Sequence, residues 1–188
     1  MEWGTLVATL GGAVIAIAGT VLADRLRTRQ EADQGLGARR RELYTEFITA
    51  AGTAHTELRR LAQERAPGAE EVGAEEASRT ALSAAGIYEV RERLYLDASA
   101  RVAGAGQAMF EKLRALRAVV GAGAPLDSAA FHEAYHPYLE AVWSYRAVVR
   151  EELEGRPLTP EDFGWGSWDG RERCGRCRQG AGRAAVGG

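Results

Sequence analysis

Two short motifs in the last third of this 188-residue chain carry residue types that could do chemistry. His132-Glu133-Ala134-Tyr135-His136 matches the H-E-x-x-H pattern, in which histidines one helical turn apart hold zinc and the glutamate activates its water. Three features weigh against a zinc-dependent hydrolase. Pro137 removes the hydrogen bond to the Glu133 carbonyl and biases His136 away from helical geometry, so the alignment of the two imidazoles is expected to weaken. A third ligand has to come from Glu151, Glu152, Glu154 or the remote His55. Such enzymes also hold substrate against a sheet edge, and no segment here alternates with period two. Both histidines are therefore expected to face solvent or cap a helix.

The second motif, Cys174-Gly175-Arg176-Cys177, is half of a tetrahedral zinc site. A second copy of the chain could supply the other half. A thioredoxin-like role would need a strand-to-helix turn, which the surrounding Arg- and Gly-rich sequence does not offer. The expectation is a pair of reduced cysteines in a disordered tail over 171–188. No catalytic residue, cofactor or resident metal is assigned, and His132, His136, Cys174 and Cys177 remain weak metal candidates.

The elements that must position these motifs are helical throughout. Tyr44, Phe47, Ala51, Ala54, Leu58 and Leu61 are spaced as on one buried helical face, and Pro67-Gly68 ends that stretch. A second helix is predicted from about Glu70 to Leu96, with Ala81, Ala84, Ile87, Tyr88, Val90, Leu94 and Tyr95 on its apolar side. Asp97 is the expected cap of a third, carrying Val102, Gly106, Met109, Leu113, Leu116 and Val120. Asp127 is the expected cap of a fourth, carrying Phe131, Tyr135, Tyr138, Val142, Tyr145 and Val149. Small residues at Ala51, Ala54, Ala81, Ala84 and Gly106 should let the helices approach closely. Arg91 is expected at the edge of the bundle face, paired with Glu89, Glu92 or Glu140. The fold class is all-α: an amino-terminal transmembrane helix, an antiparallel four-helix bundle and a disordered carboxyl-terminal tail.

The transmembrane expectation rests on Gly4 to Ala23, twenty residues without a charge. As a helix the run is about 30 Å long, the thickness of a bilayer's hydrocarbon core. None of the first 23 residues is basic, whereas Arg25, Arg27, Arg29, Arg39, Arg40 and Arg41 follow. That asymmetry predicts a single-pass anchor with its amino terminus outside and the rest of the chain in the cytoplasm, with Trp3 at the interface. A cleaved export signal, suggested by Ala16-Ile17-Ala18, and a soluble protein with a buried helix are the competing readings.

Gly4, Ala8, Gly12 and Ala16 form a small-residue stripe that could let two anchors pack as a homodimer, with a compositional origin, in a chain of 23 glycines and a single lysine against 23 arginines, as the alternative. The organisation expected is an anchor over 1–23, a basic juxtamembrane segment over 24–37 loosened at Gly35 and Gly37, and a bundle over 38–154. A short aromatic segment over 155–170 would dock Phe163, Trp165 and Trp168 back on the bundle, ahead of the tail. With a net charge of −2 and mixed signs, no large basic face advertises nucleic acid, and no nucleic-acid partner is expected. Expected partners are the bilayer, anionic lipid at the arginine flank and a protein the sequence does not identify.

The stretches MEWGTLVATLGG, GTVLADRLRTR, GARRRELYTEFI, YEVRERLYLDAS, GQAMFEKLRALR and FHEAYHPYLEAVWSYR together resemble a family of small actinobacterial membrane-anchored helical proteins, some of them labelled CchlQ. The layout is also similar to the kil-type proteins implicated in plasmid spread. The resemblance spans most of residues 1–173. It implies one membrane helix and a helical cytoplasmic domain, with no established activity and no catalytic residues. The function expected is an interaction or scaffold module on the cytoplasmic face, with a plasmid-spread or membrane-associated regulatory factor as the alternative.

Overall fold

The computed structural model describes residues 3–65, 73–165 and 174, and for 3–19, 21 and 28–34 the backbone alone. Among the described residues five α-helices follow one another: α1 (Trp3–Glu64), α2 (Ala74–Ala84), α3 (Ile87–Asp97), α4 (Ala100–Gly121) and α5 (Ala129–Glu154). A 3-10 turn at Pro160–Phe163 comes last. No strand occurs among the described residues, so the all-α expectation holds. The chain divides into two compact units, residues 1–40 and 41–188.

In the first unit the backbone stays helical through Gly35 and Gly37, where the sequence predicts loosening. A glycine costs a helix about 1 kcal/mol, too little to break one with good formers on both sides. Leu22, Leu26 and Leu36 are exposed. No helix among the described residues is long and apolar enough to cross a membrane. Most side chains of the expected anchor, with its Gly4, Ala8, Gly12 and Ala16 stripe, lie outside the described residues, as do those of Trp3 and Arg29. The same is true of Trp168, Cys177 and the tail on either side of Cys174.

The second unit is a bundle of up-and-down segments around a core of aromatic, aliphatic and small side chains. α1 and α5 run antiparallel, since the Tyr145 hydroxyl donates to the Tyr44 carbonyl and the Tyr138 hydroxyl to the Ala51 carbonyl, each at 3.2 Å. At the far end of α1 the Leu126 amide donates to the Ala62 carbonyl at 3.0 Å, tying the α4–α5 connection to it. α2 and α3 together run against α4: Arg117 meets Glu75 at 2.8 Å, and Tyr88 meets Phe110 edge-on at 5.6 Å. The helices approach closely at Gly106, where a Cβ would lie 2.4 Å from Leu94 Cδ2 and 3.2 Å from the Phe47 ring. A side chain there would make Leu94 and Phe47 give way.

Several details differ from expectation. The predicted second helix is two, because Gly86 takes the left-handed conformation, φ +66°, between α2 and α3. A residue without Cβ adopts it at no steric cost. The offset turns Ala84, Tyr88 and Tyr95 outward, while Ala81, Ile87, Val90 and Leu94 stay in the core. The helix caps are Ser99 and Ser128 rather than Asp97 and Asp127: their hydroxyls accept from the Val102 and Phe131 amides. Both serines immediately precede the first helical residue in extended geometry, which aims their oxygens at the third amide. Arg91, by contrast, pairs with one of its expected partners, Glu92, at 2.6 Å, and it also lies over the Phe110 ring, 4.4 Å from its centre.

Candidate metal centre

α5 reaches this region as an amphipathic helix started by the Ser128 cap, with Phe131, Tyr138 and Tyr145 anchored in the core. Positions four apart on a helix share a face. His132 and His136 therefore stand one above the other, ring centres 5.7 Å apart and planes 30° from parallel. The weakening expected from Pro137 does not occur: α5 continues through it to Glu154. Proline removes one backbone hydrogen bond, and the core contacts of Phe131 and Tyr138 on either side hold the helix together.

The tail returns to the same place. Thr159 and Asp162 form a capping box at the 3-10 turn, and the Thr159 amide donates to the Asp162 carboxylate at 2.9 Å. This bond, followed by the nearby Arg156 guanidinium, holds the Asp162 carboxyl below its usual range. Phe163 and Trp165 stack at 4.7 Å and both pack against Trp143 of α5, at 5.7 and 5.8 Å, as the docking expectation requires. Nine residues on, Cys174 Sγ lies 3.5 Å from His132 Nδ1.

One ligand atom each from His132, His136 and Cys174 thus falls within 4.8 Å of the others. His136 is buried; His132 and Cys174 are half-buried. The expectation of solvent-facing or capping histidines does not describe this arrangement. Glu133, the base of the hydrolase pattern, is exposed and stands outside the cluster. Glu151, Glu152 and Glu154 are more than three turns farther along α5. Glu151 pairs with Arg101, Glu154 with Arg150, and Glu152 accepts from the Tyr44 and Ser99 hydroxyls.

His55 is not a ligand either. Its ring stacks on Tyr135 at 5.4 Å and lies against Tyr138 at 5.1 Å, and its Nε2 is buried without a hydrogen-bond partner. Burial, reinforced by the neighbouring Arg59 charge, lowers its pKa to about 4. It stays neutral. A groove of about 1030 Å³ between α1 and α2 opens beside it, lined among others by Gly52, Thr56, Ala77 and Ala84.

Compared with known protein families, curated proteins and solved structures, the chain matches none.

The convergence of the two motifs was not legible in their spacing. Each looks incomplete alone, and 37 residues lie between His136 and Cys174. The available signal is the aromatic segment between them, since Phe163 and Trp165 pin the chain to Trp143 of α5 nine residues ahead of Cys174.

Proposed function

We propose that this protein is a single-pass membrane protein whose helical module serves as an interaction or scaffold platform on the cytoplasmic face. The observation that carries the reading is the twenty-residue uncharged run, Gly4 to Ala23, with arginines behind it and none ahead. The exposure of Leu22 and Leu26 beside Arg25 and Arg27 supports it, being the mixture an interfacial helix end presents. Arg39, Arg40 and Arg41 would add attraction to anionic lipid of about 1 kcal/mol each. The small-residue stripe would allow a homodimer of anchors. The bundle's buried polar contacts close its own packing, and the reading assigns it no catalytic residue.

A zinc hydrolase is the second reading, favoured by the pairing of His132 and His136. It fits less well. Glu133, the residue that would activate the zinc-bound water, is exposed and stands outside the cluster of His132, His136 and Cys174. The primary reading is tested by carbonate extraction of membranes carrying the full chain and a variant lacking residues 1–23. The full chain should remain in the pellet and the truncated one should be released. A reporter fused after Gly188 should be active only on the cytoplasmic side; activity outside reverses the orientation.

A further inference from the structure

We infer that His132, His136 and Cys174 bind a zinc-class divalent cation that fastens the carboxyl-terminal tail to α5 as a structural strap. The inference is independent of whether the protein is anchored in a membrane.

Ligand type and geometry both support it. Two imidazoles and a thiolate suit the borderline-soft Zn²⁺ and disfavour Mg²⁺ and Ca²⁺, which take oxygen. With Zn–N of about 2.0–2.1 Å and Zn–S of about 2.3 Å, tetrahedral angles put nitrogen and sulfur about 3.6 Å apart. Cys174 Sγ and His132 Nδ1 are 3.5 Å apart, and all three ligand atoms fit within 4.8 Å. The histidines are held by different means: His136 is buried in the bundle, and His132 stands edge-on to the core residue Phe131 at 5.9 Å.

Chain geometry permits the strap. From Trp143 back to His132 is eleven residues of helix, about 16 Å at 1.5 Å per residue. Trp165, packed on Trp143, is nine residues from Cys174, which an extended chain can stretch to about 30 Å. The tail therefore has the length to run back along α5, with an aromatic clasp at one end and the cation at the other. Three protein ligands leave a fourth tetrahedral position for water, and with the hydrolase glutamate outside the cluster no carboxylate base stands ready to activate that water, so the role assigned to the cation is structural. The metal would contribute stability to a segment with little apolar surface of its own.

The test uses the full chain in detergent with a thiol-free reductant. Zn²⁺ is titrated in competition with a chromophoric chelator, and Co²⁺ is used as a spectroscopic substitute. One equivalent should bind, Co²⁺ should show a thiolate charge-transfer band, and Zn²⁺ should slow tryptic cleavage at Arg171, Arg173, Arg176 and Arg178 at least tenfold. His132→Ala, at a half-buried position, should keep the helical circular dichroism signal, weaken binding at least tenfold and remove the protection. Cys174→Ser should remove the charge-transfer band. Binding indifferent to His132→Ala would assign the metal to the cysteines alone and overturn the proposal. Stoichiometric binding without tail protection would overturn the strap. Absence of stoichiometric binding together with rapid alkylation of Cys174 would assign the pair as a thiol–imidazole nucleophile instead.

Discussion

The two ends of α5 are built on different principles. Toward its carboxyl end, Tyr145 reaches the Tyr44 carbonyl, and the hydroxyls of Tyr44 and Ser99 converge on Glu152. Every polar group named there meets another part of the bundle. Toward its amino end, His132 and His136 lie together near a cysteine from the tail, and the neighbouring His55 is enclosed by tyrosine rings. One end is closed by packing, whereas the other gathers polar groups that packing alone does not explain. A single amphipathic helix can thus be structural over one half and chemically equipped over the other.

The largest effect should come from breaking the closed end. Phe47 is fully buried, 5.3 Å from the Tyr145 ring and against Gly106. Truncating such a ring removes its transfer free energy and leaves a cavity, so Phe47→Ala should destabilise the bundle by about 3–5 kcal/mol. Urea unfolding followed by tryptophan fluorescence measures it. A loss below about 1 kcal/mol would mean that this end is loosely packed and the contrast is misplaced.

At the other end the comparison is sharpened by pH. His55 has a folded pKa of about 4 against 6.5 for the unfolded residue, so between those values the unfolded chain binds the proton that the folded chain refuses. Its stabilising contribution is present above about pH 6.5, falls through the window and levels off below about pH 4. Integrated over that shift the loss is about 3 kcal/mol. The groups facing His55 are Arg59, Tyr135 and Tyr138, and burial pushes the Tyr138 phenol up, away from this window. His55→Leu should flatten that part of the acid profile. If wild type and variant lose stability in parallel from pH 7 to pH 4, His55 is not held neutral and this end is wetter than described.

The same contrast marks what the sequence makes legible. The stripe from Tyr44 to Leu58 and that from Val102 to Val120 lie in the core, because helical periodicity reports burial directly. The break at Gly86 was less visible, since one glycine within a helical pattern is often tolerated. The meeting of the H-E-x-x-H motif with Cys174 had no periodic signature at all. It depends on a tail folded back through Trp143, Phe163 and Trp165, a long-range contact that neither local propensity nor motif spacing encodes. Pro137 misled for a related reason: its local cost is real, but the packing on both sides exceeds it.

A smaller perturbation probes how tightly the closed end is filled. A Cβ at Gly106 would press Leu94 and Phe47, and both must shift to admit it. Gly106→Ala gains helix propensity of about 1 kcal/mol but overpacks a core contact, which typically costs about 1–3 kcal/mol. A net destabilisation of about 1 kcal/mol is expected by the same urea measurement. Stabilisation would show that Leu94 relocates freely.

The mildest test separates the two ends by their first turns. Ser128 caps α5 three residues before Phe131, whose amide donates to its hydroxyl at 3.1 Å, and four residues before His132. Ser128→Ala should cost about 1 kcal/mol, as cap removals do. The cost should concentrate where the helix starts, since fraying is confined to the terminal turn. Amide hydrogen exchange should therefore speed up at residues 129–133, while amides around Tyr145 exchange as before. Ser99→Ala provides the matched control, because its hydroxyl also donates to Glu152 and its removal should be felt at the closed end as well. If Ser128→Ala accelerates exchange equally at both ends, α5 opens as one cooperative unit, and its halves differ in chemistry without differing in stability.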